Sequence, residues 1–292
     1  MRVRDPAERI TIFAMVVTTA LGGTELLAGL LSGSIAFIAA GVDAFSDTFT
    51  SIGVFAGLRV SKRPPDAGHP YGHRQAETLA SMALAVVLLF AGIRIAYSAI
   101  ERLRLGVAVQ ATPELFLLAG LAIFLLGALA RQQIRVGKRT GNLSVVADGY
   151  HTLSDSASAL AVLVGLVFVR VGYPVVDPLI ALGISVIIAT WGLIIGRDAL
   201  NILMGTSPGQ EVMDEIRKVC RDVPGVLSCH RCRARRAGSR IFADLHVLVD
   251  PKMSITDAHE VATQVERRLK ARVKGLVSVV VHVEPCGGKS SG

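Results

Sequence analysis

Residues 33–48 read GSIAFIAAGVDAFSDT, and residues 141–156 read GNLSVVADGYHTLSDS. The two segments align without a gap, and Asp47 of the first matches Asp155 of the second. Glycine, alanine and serine also recur at matched positions of the alignment. The match predicts an internal repeat of three helices followed by three helices, with the two copies running in opposite directions.

The composition is typical of a membrane protein. Hydrophobic residues make up 51% of the 292 residues and charged residues 18%, and the mean hydropathy is +0.53. Apolar segments long enough to cross a bilayer, which takes about 20 residues, recur along the chain. No cleaved signal peptide is expected, because the first segment lacks a small-residue cleavage site and five more follow. We predict six membrane-spanning helices, at 10–31, 35–60, 76–100, 113–134, 143–169 and 175–203.

Basic residues are distributed unevenly among the connections between these spans. They cluster before the first span, between the second and third, and between the fourth and fifth. The positive-inside rule therefore predicts that both termini are cytoplasmic. We expect the protein to lie in the inner membrane of the cell. This placement explains part of the net charge of +8, and the basic balance does not require a nucleic-acid partner.

After residue 205 the chain changes to the pattern of a small soluble domain, which we place at 206–286. Alternating and amphipathic segments predict a helix, two strands, a second helix and a third strand. This order indicates an open-faced α+β domain of the ferredoxin-like αββαβ type, followed by a disordered tail at 287–292. The predicted elements are a helix from the cap Ser207 to about Asp222, strands at about 226–232, 240–250 and 276–285, and a helix at 256–273.

Polar residues of the repeat lie deep in their apolar segments. Asp43 and His151 are matched, about eight residues or roughly 12 Å into their spans. Because the copies run in opposite directions, both positions approach the middle of a ~30 Å hydrocarbon core. Asp47 and Asp155 follow four residues later, so each pair shares one helix face. The pattern predicts three carboxylates and one imidazole around one point.

A divalent cation would offset the cost of this cage, since each carboxylate at mid-membrane costs at least ~2.5 kcal/mol. Four nitrogen and oxygen ligands in a tetrahedral array suit Zn²⁺, and the same set accepts Fe²⁺, Mn²⁺ or Cd²⁺. The alternative is a set of buried polar residues bonded to neighbouring helices. Residues 66–73, DAGHPYGH, place three more metal-competent side chains at short spacing, and the alternative there is a polar loop with capping roles.

Several motifs resemble the cation diffusion facilitator family, whose bacterial members are divalent-metal/proton antiporters. The motifs are SGSIAFIAAGVDAFSD, GYHTLSD, HPYGHRQAE at 69–77, and AHE and VHVEP in the soluble domain, so the resemblance covers nearly the whole chain. It implies a homodimer joined through the soluble domain, with metal both as the transported substrate and as a structural ion. The implied metal sites are Asp43, Asp47, His151 and Asp155 for transport, Asp66, His69 and His73 in the loop, and His230, His246, His259, His282 and Glu284 in the soluble domain.

Two positions depart from the family pattern. Gln75 stands where the signature usually has Lys, and Gly205 stands where Asp is common. In relatives these two residues can form a charge pair that locks helices at the dimer interface. The chain lacks both charges, so neither charge is left without its partner. Because the charge pair is missing, we predict a looser membrane dimer.

Four cysteines lie in the soluble domain, at 220, 229, 232 and 286. Thiols in the cytoplasm stay reduced, so disulfides are not expected. A soft-metal site around the C-x-x-C of SCHRC is one interpretation, and free thiols are the other.

We predict a transporter that exports a divalent cation from the cytoplasm in exchange for protons, with zinc first and iron, cadmium or manganese as alternatives. Metal and protons compete for the same ligands, and an imidazole titrates near neutral pH. A metal-sensing membrane scaffold and a proton-coupled exporter of organic cations remain as alternatives. An enzyme is not expected, because the chain has no H-E-x-x-H and a closed four-ligand site leaves no open position for water.

Overall fold

The computed structural model describes residues 5–32, 35–105, 113–173 and 175–287. It separates into two compact units, Met1–Leu200 and Asn201–Gly292. The predicted tail, 287–292, lies outside the described residues except for Gly287.

Six long helices follow the six predicted spans. Among the described residues, three segments are long and apolar enough to cross a membrane: Ala76–Leu105, Ala119–Thr140 and Pro178–Leu203. The helices are α1 (Pro6–Ser32), α2 (Ile35–Ser61), α3 (Ala76–Leu105), α4 (Pro113–Thr140), α5 (Leu143–Val171) and α6 (Val176–Leu203).

An apolar cluster holds the first unit together and brings α2 beside α5. Its side chains come from α1, α2, α3, α5 and α6, and Val54, Leu88 and Val145 are fully buried within it. Helices α4 and α5 pack closely against each other. A Cβ built on Gly149 of α5 would lie 2.7 Å from Ile134 Cγ1 and 2.9 Å from the Ile134 backbone nitrogen, so the two backbones approach too closely for a larger side chain.

The second unit is a three-stranded sheet with helices on one face. Strand β1 pairs with β2 antiparallel, β2 pairs with β3 parallel, and α8 makes the crossover between β2 and β3. Residues such as Ile216 of α7, Leu245 of β2 and Leu269 of α8 form a core between the helices and the sheet. The elements are α7 (Gln210–Arg221), β1 (Ser228–Ala237), β2 (Arg240–Val249), α8 (Ile255–Arg272) and β3 (Leu276–Pro285).

Two predicted boundaries in this unit are wrong. Helix α7 begins at Gln210 and not after Ser207, because Gly209, with φ 110°, takes the cap position without a side-chain hydrogen bond. Thr206 is tied to the sheet, since its carbonyl oxygen accepts the N–H of Arg236 at 3.0 Å. Strand β1 runs to Ala237, five residues beyond the predicted end, because an edge strand with an exposed arginine-rich face lacks the apolar alternation of a buried strand.

Candidate metal centres

Asp47 of α2 and His151 and Asp155 of α5 form the membrane cluster. Their ligand atoms lie within 4.8 Å of one another. His151 Nε2 is 3.1 Å from Asp47 Oδ1, and the His151 side chain is only 8% exposed. Asp155 follows His151 by one turn, so both point to the side of α5 that faces α2. The repeat predicted this meeting of α2 and α5.

Asp43, the fourth predicted member, has a side chain outside the described part of the structure. Its backbone belongs to α2, one turn before Asp47, so the two residues share a helix face. The second ring nitrogen of His151, Nδ1, is buried without a hydrogen-bond partner among the described residues. The contact between Nε2 and Asp47 Oδ1 therefore favours the tautomer that carries its proton on Nε2.

Asp148 lies one turn before His151 and joins three helices, in a contact we call the carboxylate clamp. Its Oδ1 accepts a hydrogen bond from Ser51 Oγ of α2 at 3.1 Å, and its Oδ2 accepts one from Gln133 Nε2 of α4 at 2.5 Å. Asp148 and Gln133 are both fully buried. From the sequence, Asp148 could either tune His151 or bond a neighbouring helix, and the structure shows bonds to two helices. Gln133 was missed, although a glutamine near the end of an apolar span was a usable signal.

The loop cluster comprises Asp66, His69 and His73, between α2 and α3. Their ligand atoms also lie within 4.8 Å of one another. His69 Nδ1 and His73 Nε2 are each 3.3 Å from a different oxygen of Asp66. The backbone N–H of His69 donates to Asp66 Oδ1 at 2.7 Å, and this bond is the main reason that the pKa of Asp66 lies below its usual value. The carboxylate is therefore kept ionised, the form that binds a cation.

The sheet cluster comprises His230, His246 and Glu284, again with ligand atoms within 4.8 Å of one another. It forms because the register places His230 opposite His246, and His246 opposite His282, in one row across the three strands. Glu284 follows His282 by two residues and therefore returns to the same face of β3. This face is the one that the helices leave open.

A hydrogen bond from His246 Nδ1 to Glu284 Oε1, at 2.7 Å, lowers the pKa of Glu284. His230 Nε2 is 3.3 Å from Glu284 Oε2, and His282 Nε2 is 3.6 Å from Glu284 Oε1. Two of the five predicted members, His282 and His259, are not within this group of ligand atoms. His259 lies on α8 and lines an open depression together with Glu284.

All three clusters combine histidine with carboxylate. Imidazole nitrogen and carboxylate oxygen suit Zn²⁺ and, less selectively, other divalent transition metals. The membrane cluster lies between packed helices, whereas the other two lie on a loop and on a sheet surface. Each of the three sets offers ligand atoms that could hold one metal ion.

Residues 11–204 match the model of the cation efflux transmembrane domain, and residues 208–286 match that of the cation efflux protein cytoplasmic domain. The chain belongs to the cation diffusion facilitator family, also called the cation efflux family. This membership confirms the family resemblance and the fold class, a helical membrane domain with a ferredoxin-like cytoplasmic domain. It also makes the chain a multi-pass membrane protein of a family that exports divalent metal cations.

Relatives from different organisms align with most of this chain. The chain is 30% identical to an uncharacterized transporter of Methanocaldococcus jannaschii, over 95% of this chain and 98% of the relative. It is 30% identical to the cation-efflux pump FieF of Shewanella oneidensis, over 89% of this chain and 88% of the pump. It is also 30% identical to Metal tolerance protein C1 of Arabidopsis thaliana over 96% of this chain, but spans only 63% of that plant protein.

The two departures from the family pattern have distinct surroundings. Gly205 has a φ of 81° and ends α6, where its N–H donates to Ile202 O at 3.0 Å and the Thr206 N–H donates to Asn201 O at 2.9 Å. This pair of bonds is the Schellman arrangement, which favours glycine at the left-handed position. Gln75 has a buried Oε1 with no hydrogen-bond partner in the described ranges.

Proposed function

We propose that this protein exports a divalent transition-metal ion from the cytoplasm in exchange for protons, with Zn²⁺ as the first candidate and Fe²⁺, Cd²⁺ or Mn²⁺ as alternatives. The observation that carries the proposal is the membrane cluster, in which one imidazole and two carboxylates converge between α2 and α5. Asp43 completes the set, because it precedes Asp47 by one turn on the same helix.

Proton exchange follows from the chemistry of these ligands. A carboxylate and an imidazole bind metal only when they have lost their protons, so metal and protons compete for one site. Metal would load from the neutral cytoplasm, and protons from a more acidic exterior would displace it. The inverted repeat supports alternating access by the rocking of one helix set against the other.

The loop cluster and the sheet cluster take supporting roles in this proposal. The loop cluster binds metal between α2 and α3 of the membrane domain, whose bounds we propose as 1–205. The sheet cluster, joined by His282 and His259, holds a structural ion in the cytoplasmic domain, 206–286, and favours a homodimer. We place the protein in the inner membrane with both termini in the cytoplasm, because the basic connections fall on that side.

The test is metal uptake into proteoliposomes that carry the full-length protein and an imposed pH gradient. Zn²⁺, Fe²⁺, Mn²⁺ and Cd²⁺ are compared for the wild type and for Asp47→Ala/Asp155→Ala. We expect uptake that requires the gradient and is lost in the double variant. The matched control is Asp214→Ala, which removes an exposed carboxylate on α7, outside all three clusters.

Each outcome has a definite meaning. Uptake that persists without the gradient would contradict proton exchange. Metal binding without uptake in any condition would favour a metal-sensing scaffold, and uptake of organic cations alone would favour the organic-cation exporter. The ranking of the four ions identifies the preferred metal.

A further inference from the structure

Two thiols lie in contact on β1 and take no part in the three clusters. Cys229 Sγ and Cys232 Sγ are 3.1 Å apart, and both cysteines are free. A disulfide bond would bring the same two atoms to about 2.05 Å. The approach needed is therefore about 1 Å, so bonding requires only a local adjustment of β1.

A β-bulge brings the two thiols together. Residues three apart on a regular strand point to opposite faces of the sheet. The register between β1 and β2 shifts between His230 and Arg233, which inserts one extra residue into β1. Arg231 lies within the bulge with a φ of 46°, a left-handed conformation that is uncommon for arginine. The bulge turns Cys232 back to the face that carries Cys229.

Burial gives the two thiols different access to solvent. Cys229 is 8% exposed and belongs to the apolar core, whereas Cys232 is partly exposed at its margin. A third thiol, Cys220, is fully buried on α7 and interacts with Cys229. Cys232 is therefore the thiol of the pair that an oxidant in solution reaches first.

We propose that Cys229 and Cys232 form a reversible dithiol–disulfide site that responds to a low-molecular-weight disulfide and controls metal binding by the sheet cluster. The deprotonated Cys232 attacks one sulfur of the oxidant, which forms a mixed disulfide and releases one small thiol. The Cys229 thiolate then attacks the Cys232 sulfur and releases the second small thiol. The protein loses two protons and two electrons, and the oxidant is reduced to two thiols.

The consequence for metal binding rests on the proposed function of the sheet cluster. Only His230 and Arg231 separate the two cysteines, so we expect closure of the disulfide to shift the backbone at the bulge. His230 Nε2 lies 3.3 Å from Glu284 Oε2, and that geometry changes with the backbone. Disturbing the support of a metal ligand typically costs 10–100-fold in affinity, and we expect a loss of about tenfold in zinc affinity.

The first experiment maps the disulfide in the full-length protein, in detergent micelles, with Cys286→Ser to remove the exposed thiol. All four cysteines lie in the cytoplasmic domain, so three thiols then remain. Arg231 lies between the two cysteines, so trypsin separates peptide 222–231 from peptide 232–233 unless a disulfide joins them. We expect the joined pair after treatment with glutathione disulfide and its loss after dithiothreitol. The joined pair must also form in Cys220→Ser. Three free thiols after oxidation, or a bond from Cys220 to Cys229, would overturn the proposal.

The second experiment measures Zn²⁺ binding in the same protein with Asp47→Ala, Asp155→Ala and His69→Ala, which disable the other two clusters. We expect about tenfold weaker binding after oxidation, and binding insensitive to oxidation in Cys229→Ser/Cys232→Ser. If that serine variant binds zinc as weakly as the oxidised protein, the thiols are ligands and not a control device. Equal affinity before and after oxidation would overturn the link to metal binding. A failure of transport would leave the peptide map unchanged, so the two proposals fail separately.

Discussion

Replacing Gln133 by Leu removes one donor from the carboxylate clamp while keeping a side chain of similar size. Asp148 then keeps the hydrogen bond from Ser51 and loses the one from Gln133, so one oxygen of a fully buried carboxylate is left without that donor. Hydrogen bonds between membrane helices contribute about 0.6 kcal/mol on average, whereas bonds to charged groups contribute about 1.5–3 kcal/mol. Because Asp148 is a carboxylate, we expect the larger range and a loss of about 2 kcal/mol in the free energy of unfolding.

The assay is equilibrium unfolding in mixed detergent micelles, followed by zinc binding to the membrane cluster. Gln132 provides the matched control, because it is the adjacent residue of the same helix and is exposed. We expect Gln132→Leu to change the free energy of unfolding by less than about 0.5 kcal/mol. Zinc binding should weaken only in Gln133→Leu, since the clamp holds α5 one turn before His151.

A double-mutant cycle tests the physical reason. Removing both polar groups, as in Gln133→Leu/Asp148→Leu, leaves no buried carboxylate without a donor. The double variant should therefore lose less free energy of unfolding than the two single variants lose in sum. Additive losses, or equal losses in Gln132→Leu and Gln133→Leu, would refute the interpretation of the clamp as a stabilising contact.

Three further predictions concern packing, pH and a buried charge. Gly149→Ala should separate α4 from α5 and cost about 1–3 kcal/mol in micelle unfolding, because its Cβ would lie 2.7 Å from a neighbouring side chain, whereas Gly120→Ala has open space around it. The cytoplasmic domain should lose stability as pH falls, because the hydrogen bond from His246 is the main reason that the pKa of Glu284 is lowered. This bond contributes its full stabilisation above the ordinary carboxyl pKa, and the stabilisation disappears as pH falls through the lowered pKa. Lys62→Met should destabilise the membrane domain, because Lys62 Nζ lies 2.7 Å from Glu8 Oε1 and the buried Glu8 carboxylate would then depend on the weaker contact with Arg59 Nε, at 3.4 Å.

Controls separate these effects from general damage. If Gly120→Ala lowers the free energy of unfolding as much as Gly149→Ala does, the packing argument is contradicted. The loss of stability at low pH is measured by thermal melting with zinc chelated, and it should be much smaller in Glu284→Gln. An unchanged pH profile in that variant would exclude Glu284 as the source of the loss. If Glu8→Gln fails to rescue Lys62→Met, the loss does not come from weakened pairing of the buried Glu8 carboxylate.

The helices, and the match between α2 and α5, could be predicted from the sequence because they depend on apolar length and on an internal repeat. Apolar length gave six helices, and the gapless repeat indicated that α2 and α5 carry matched polar residues. The loop cluster needed only short spacing between Asp66 and His73. The sheet cluster was partly predictable, since alternation places His282 and Glu284 on one face, but its assembly depends on strand register.

Other features depend on contacts that no local pattern specifies. The carboxylate clamp requires the relative rotation of α2, α4 and α5, which neither Ser51 nor Gln133 reveals alone. The bulge at Arg231 depends on the register between β1 and β2, and β1 has too little apolar alternation for its sequence to reveal an inserted residue. The start of α7 was mispredicted because Ser207 and Pro208 resemble a helix start, while the bond between Thr206 and Arg236 depends on the folded sheet.

The row of histidines across β1, β2 and β3 has a consequence for biosynthesis. Its members come from three strands, and the last strand is translated only after the whole of α8. A nascent chain therefore inserts its membrane helices, including the membrane cluster, before the sheet cluster can exist. A ribosome that stalls within α8 would leave a membrane domain with the membrane cluster but without the assembled sheet. Completion of β3 is thus the step at which a newly made chain first has both the membrane cluster and the sheet cluster.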